Sequence, residues 1–203
     1  MESLLAQWFK FGSPRLGDRK GVVGVAGVDL IRAVAAGDQD ALRELYRLHS
    51  HELFVFILRR LGDRQLAEET LQDVMLAVWR GAKSFRADAS VRTWLYSIAH
   101  RRVSSAMRKL PERVTAYEPD LMESHADGPA DRLEISDLEA AIVAALSELP
   151  ERQRVVIELI YLHGLTGPEA ARVLGVPIGT VKSRQNRALR ALRPLLEEFD
   201  DAF

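Results

Sequence analysis

Apolar residues recur at helical spacing over most of this chain, and nowhere do they alternate with polar ones for long enough to make a useful strand. A short helix is expected from Asp29 to about Ala36, where Gly37 breaks it. Ahead of it, Gly12, Pro14, Gly17, Gly21, Gly24 and Gly27 argue against long regular structure. Residues 1–28 therefore read as a disordered tail, although Leu4, Leu5, Trp8 and Phe9 could form an amphipathic turn. Asp38 stands where an N-cap belongs, before a helix whose Leu42, Leu45, His49, Leu53, Phe56 and Ile57 share a face. Gly62 stops that helix and Asp63 caps a third. In the third, Ala67, Thr70, Leu71, Val74, Met75 and Val78 form the buried stripe, with Glu68, Glu69, Gln72 and Asp73 off it. A fourth helix, from Ser90 to about Lys109, buries Val91, Leu95, Ile98, Val103 and Ala106. It leaves Trp94, Ser97, Arg101, Ser104 and Arg108 on another side.

These four helices make one small domain, residues 29–110. Pro111, Pro119, Gly128 and Pro129 then punctuate a weakly periodic linker, residues 111–134. Periodicity resumes with Ile135, Leu138, Ile142, Ala145 and Leu149. Pro150 restarts the chain, Val155, Val156, Leu159 and Ile160 supply another buried face, and Gly164 ends it. Thr166 and Glu169 have the S/T-x-x-E spacing of a capping box, which predicts a helix from about Gly167 to Leu174. Gly175 closes that helix and Pro177 suits the start of the next. Ala170, Ala171, Leu174, Val176 and Val181 can form an apolar wedge between the two, which is helix-turn-helix grammar. The second domain spans residues 135–196, followed by a tail at 197–203. The expected fold class is all-α: two small helical domains joined by an acidic linker, the second containing the helix-turn-helix.

Charge sharpens this picture. The net charge is only -1, so any nucleic-acid contact must come from segregated charge. Between Arg80 and Arg113 nine basic residues face only Asp88 and Glu112, whereas between Glu118 and Glu139 eight acidic residues face only Arg132. From Ala170 to Leu196 the chain carries Arg172, Lys182, Arg184, Arg187, Arg190 and Arg193 with no acidic residue, a one-signed run suited to DNA. Absence of cysteine excludes disulfides, thiolate metal sites and a cysteine nucleophile, and fits a reducing cytoplasm. No apolar run approaches the ~20 residues needed to span a bilayer, so the chain is expected to stay in the cytoplasm without stable membrane insertion.

On the second helix of the motif, Lys182, Ser183, Asn186 and Arg187 fall on one side by the helical period, and Arg184, Arg190 and Arg193 diverge from it. Asn can read adenine and Arg can read guanine in bidentate fashion. Thr180 serves the helix start or a phosphate. A second candidate surface lies earlier: Phe85, Trp94 and Tyr96 among Arg86, Arg92, Arg101, Arg102 and Arg108 combine stacking with backbone charge, as binding of unpaired bases requires. Trp94 and Tyr96 could equally be core or core-edge residues. The five histidines have no metal-ligand spacing, and neither a nucleophile elbow nor a phosphate-cradling loop occurs. Neither catalytic residues nor a metal nor a cofactor is expected, and the chain does not read as an enzyme.

Three stretches in this order carry a resemblance: LGDRQLAEETLQDVMLAVWR from Leu61, FRADASVRTWLYSIAHRRV from Phe85, and LSELPERQRVVIELIYLHGLTGPEAARVLGVPIGTVKSR from Leu146. The chain resembles an extracytoplasmic-function (ECF) sigma factor of the sigma-70 family. The resemblance implies core RNA polymerase and promoter DNA as partners, with an anti-sigma protein as inhibitor. Glu69, Gln72 and Asp73 would face the polymerase. Phe85, Arg86, Arg92, Trp94 and Arg101 would take unstacked bases of the minus-ten element. Thr180, Lys182, Ser183, Arg184, Asn186 and Arg187 would meet the minus-35 duplex, with Arg184 on phosphate. The acidic connector would thread toward the polymerase's RNA exit path. Three departures stand out: Arg101 and Ser105 lie near positions where the family usually has Asn and Asp, Gln185 replaces an aliphatic residue, and Gly167-Pro168 replaces a polar helix start. From the residues alone, a one-component helix-turn-helix regulator with a sensing or dimerisation domain, and a helical adaptor, remain alternatives.

Overall fold

The computed structural model describes residues 22–109 and 144–200, with side chains over 27–109 and 144–194. The expectations for residues 1–21, for the linker at 111–134 and for Ile135, Leu138 and Ile142 lie outside these residues. Among the described residues the elements are helical, without strands. They form two compact units: residues 22–109 with Pro168–Val176, and residues 144–167 with 177–200.

The first helix, α1 (Val22–Ala35), begins seven residues before the expected start at Asp29 and runs through Gly24 and Gly27. Gly27, expected to interrupt regular structure, is buried within the helix, and a Cβ there would stand 3.4 Å from Val91 Cγ2. It serves close helix packing, and that packing outweighs the ~1 kcal/mol that glycine costs in a helix. The helix closes as a Schellman motif at Gly37, whose φ is 95°. Gly37 N donates to Val34 O at 2.9 Å and Asp38 N to Ala33 O at 3.0 Å.

The expected caps at Asp38 and Asp63 are in place, and Ser90, expected as the first residue of the fourth helix, is its cap. Asp38 accepts from the amides of Asp40 and Ala41 to start α2 (Gln39–Leu61), which Gly62 ends at φ 68°. Asp63 accepts from Leu66 N ahead of α3 (Arg64–Gly81). After a 3₁₀ turn, Ala82–Ser84, the Ser90 hydroxyl accepts from Thr93 N to start α4 (Val91–Met107). Each such cap contributes about 1 kcal/mol. The α3 stripe is buried as expected, at Ala67, Thr70, Leu71, Val74, Met75 and Val78.

Tyr96 settles as a core residue: it is fully buried and meets Phe56 edge-on, with ring centroids 5.3 Å apart and an interplanar angle of 69°. Ile31, Leu45, Leu53, Ile57, Leu61, Val74, Val78, Leu95 and Val103 are also fully or almost fully buried. Each contributes roughly 1.5–3 kcal/mol by leaving water. Arg60 is buried as well, lying 5.5 Å over the Phe56 ring with Nη1 3.4 Å from His100 Nδ1. Burial, then the charges of Arg60 and Arg101, push the His100 pKa down to about 4. The ring is therefore neutral near pH 7 and can accept the Arg60 hydrogen bond.

In the other half of the chain, residues 144–147 are helical and Pro150 precedes α5 (Glu151–Ile157). A π-helical turn, Glu158–Leu162, continues α5, and Gly164 follows at φ 61°. The two helices expected for the motif are present as α6 (Gly167–Leu174), at its expected boundaries, and α7 (Ile178–Asp200). Gly175, at φ 64°, makes the turn as a second Schellman motif, with Gly175 N donating to Arg172 O at 3.3 Å and Val176 N to Ala171 O at 3.1 Å. The Pro177 carbonyl then accepts from Thr180 N at 2.9 Å, opening α7. Ala145, Leu146, Leu149, Ile157, Ala188 and Leu192 form the core under α7, with Tyr161, Leu162 and Leu189 packed against it. Residues 197–200, expected as tail, are still helical, and α7 passes through Pro194 to get there. Extending a formed helix by good formers is far easier than nucleating one, which offsets the hydrogen bond that proline removes.

Candidate nucleic-acid interface

The reading face of α7 follows from its buried one. Val181 and Ala188 are fully buried and Leu192 nearly so, which turns Lys182, Ser183, Asn186 and Arg187 outward, all four exposed. Arg184 and Thr180 are half-buried at its margin, and Ser183 Oγ donates to Thr180 O at 3.0 Å. No acidic residue occupies the first turn, so the positive end of the helix dipole and the side-chain cations act together on an approaching phosphate. The six minus-35 candidates thus stand on the first three turns of one helix, the part that reaches base edges in a major groove.

The earlier candidates divide. Phe85 and Trp94 come together, their ring centroids 5.2 Å apart and the planes tilted by 54°, both half-buried. Trp94 lies against Gly81, where a Cβ would stand 3.6 Å from its Cζ2. Ser97 Oγ donates to the Trp94 carbonyl at 2.7 Å. The loop from Phe85 to Ser90 exposes Arg86 and contains Ala87 at φ 56°, a left-handed conformation for which a residue with a Cβ is strained. Arg101 is exposed two turns along α4 from Trp94.

Arg92 turns the other way. Its Nε and Nη2 donate to Glu52 Oε2 at 2.9 and 2.8 Å, and its guanidinium lies 5.5 Å over the Tyr96 ring. Glu52 Oε1 in turn accepts from His49 Nδ1 at 2.7 Å. Burial opposes ionisation of Glu52, but the His49 hydrogen bond and the Arg92 charge together outweigh it and hold the carboxyl below its ordinary range. Burial pushes the Tyr96 phenol far up, so it stays neutral.

On α3, Glu69, Gln72 and Asp73 are exposed, and Gln65 Nε2 donates to Glu69 at 3.3 Å. The sequence reading missed Leu76, which is 51% exposed on the same face, three residues after Asp73 and four after Gln72. Its signal was available: an aliphatic residue one position off the buried stripe of an amphipathic helix. Among the described residues, no group of three or more acidic, histidine or cysteine side chains could hold a metal ion. No described helix is long and apolar enough to cross a membrane.

The described residues thus present a helical protein with two candidate surfaces for nucleic acid, the outward basic side of α7 and the Phe85–Trp94 pair beside Arg86. Residues 45–111 match the family model for Sigma-70 region 2, and residues 139–192 match that for Sigma-70, region 4. The ECF RNA polymerase sigma factor SigK of Mycobacterium bovis (strain BCG / Pasteur 1173P2) is 36% identical over 172 residues, covering 83% of this chain and 92% of that protein. SigM of Mycobacterium tuberculosis (strain ATCC 35801 / TMC 107 / Erdman) is 36% identical over 173 residues, covering 84% and 85%. Among solved structures, CnrH in complex with the cytosolic domain of CnrY aligns with a TM-score of 0.61 at 27% identity, covering 84% of this chain and 97% of that one. RpoE in complex with the anti-sigma factor NepR from Bartonella quintana aligns with a TM-score of 0.58 at 30% identity, covering 76% and 96%. The chain belongs to the ECF RNA polymerase sigma factors of the sigma-70 family, and it is an alternative sigma factor that directs transcription initiation.

Proposed function

We propose a division of labour among three surfaces. The α7 face of Lys182, Ser183, Asn186 and Arg187, with Thr180 and Arg184 at its margin, reads the minus-35 element as duplex. Phe85, Arg86, Trp94 and Arg101 take unstacked bases of the melted minus-ten element, and Arg92 holds the start of α4 from behind through Glu52. Glu69, Gln72 and Asp73, with Leu76 among them, face core RNA polymerase. The two DNA surfaces correspond to domains at residues 29–110 and 135–196, joined by the linker at 111–134. Such a factor works in the cytoplasm by binding alone and carries out no bond chemistry. An anti-sigma protein is its proposed inhibitor, in line with the anti-sigma partner of RpoE.

The observation that carries this reading is the outward set of Lys182, Ser183, Asn186 and Arg187 opposite the buried Val181, Ala188 and Leu192 on one helix. The test is run-off transcription with core polymerase lacking other sigma factors, on templates selected from randomised promoter DNA. A promoter-dependent start that moves with both DNA elements is expected. Starts that ignore a scrambled minus-35 element would refute the assignment of α7.

A further inference from the structure

Gln185 is the polar member of an apolar stripe. It lies four residues after Val181 and three before Ala188, both fully buried, and so belongs to the inward side of α7 and not to its reading face. Its half-buried side chain reaches back across the unit, and Nε2 donates to the Tyr161 hydroxyl at 3.0 Å. Tyr161 stands in the π-helical turn Glu158–Leu162 and packs on the core cluster of Leu149, Ile157, Ala188 and Leu192. That turn is closed by His163 N donating to Glu158 O at 2.9 Å. Short π-helical turns of this kind are frequent where a helix carries a functional side chain.

On α7 itself, the buried residues that flank Gln185 on the inward side, Val181, Ala188 and Leu192, make apolar, non-directional contacts. Val181, Ala188 and Leu192 would tolerate a small rotation of α7 about its axis, whereas a hydrogen bond weakens steeply as its angle opens. Gln185 is flanked by Arg184 and Asn186, so any rotation at Gln185 moves the reading side chains by the same angle. A bidentate contact between Asn or Arg and a base edge depends on that angle. A single polar group on an apolar seam is a known way for helices to select one register.

We propose that the Gln185–Tyr161 hydrogen bond sets the rotation of α7, making both residues positioning residues for base reading that do not themselves touch DNA. The proposal rests on the assignment of α7 to the minus-35 duplex. Tyr161→Phe is the decisive variant, because it removes one oxygen, keeps the packed ring, and leaves Gln185 in place.

The full chain, bound to core polymerase, is presented with duplexes randomised across the minus-35 element, and the ratio of preferred to single-mismatch sequences is counted. Tyr161→Phe and Gln185→Leu are each expected to lower that ratio about three- to tenfold, the range one modest hydrogen bond commands. The double variant should be no worse than either single one, and thermal unfolding should move by only a few degrees. Arg187→Ala is the control for the reading helix. If Arg187→Ala lowers the ratio and Tyr161→Phe leaves it unchanged, the proposal is overturned while the α7 assignment stands. An effect of Gln185→Leu without one from Tyr161→Phe would also overturn it, since Gln185 would then be touching DNA. Equal weakening on every sequence would show a purely structural role. A ratio unmoved by Arg187→Ala would remove the duplex-reading assignment and this proposal with it.

Discussion

Replacing Glu52 by Gln keeps the size and most of the shape of the side chain but takes away the charge that Arg92 is folded against. The Glu52 and Arg92 side chains retain only 16% and 23% of their surface, and the His49 side chain 7%. Breaking a fully buried pair costs about 3–5 kcal/mol, mostly because the remaining charge is left without a partner. Partial exposure lets water repay some of that here, which brings the expected loss to about 2–3 kcal/mol. Urea unfolding followed by Trp fluorescence is suitable, since Trp79 and Trp94 both belong to the unit that holds the pair. The pH dependence gives a second arm. Glu52 has its folded pKa below the ordinary 4.5, so its contribution is fully present above that value and is lost as pH falls through the lowered one. The gap between wild type and Glu52→Gln should therefore be constant around neutrality and close in acid. Pairing the change with Arg92→Met should recover part of the loss, because no unpaired charge remains. A cost below about 0.5 kcal/mol at pH 7 would place the pair among ordinary surface ion pairs and sink the reasoning.

Trp94→Ala should lose about 1–3 kcal/mol of affinity for melted minus-ten DNA while leaving minus-35 duplex binding unchanged, as separate titrations of single-stranded and duplex probes would show. Arg187→Ala should cost about 1–3 kcal/mol on the preferred minus-35 sequence and relax the choice of base there; uniform weakening on all sequences would mark it as a phosphate contact instead. Asp73→Arg lies off the buried stripe, so it should weaken capture of core polymerase in a pull-down with the thermal transition unmoved, and undiminished capture would remove Asp73 from that surface.

Much of the architecture was legible because it is local. Asp38 and Asp63 are found as caps because a cap depends on a side chain and an amide two or three residues away. The α3 stripe is found complete because its burial follows the helical period of a single segment. Gly175 closes α6 for the same reason: only a residue without a Cβ enters that turn freely.

The reading fails where a residue's role depends on a partner far along the chain. Gly27 looks like a helix breaker until Val91, 64 positions later, is brought against it. Arg92 belongs by composition to a basic, aromatic-rich surface, yet Glu52, 40 positions before it, turns its charge inward. Leu76 is marked in its own segment only as an aliphatic residue off the buried stripe, and the tertiary structure decides that this side of α3 stays uncovered. Gln185 stands where an aliphatic residue is usual, and its partner Tyr161 is 24 positions away in a turn whose π geometry has no sequence signature. By itself the sequence determined which segments are helices, where most of them begin and end, and which side of each is apolar. Only the tertiary structure decided which polar groups spend their charge or hydrogen bonds inside the protein, because desolvation and pairing act between segments and leave no period along the chain.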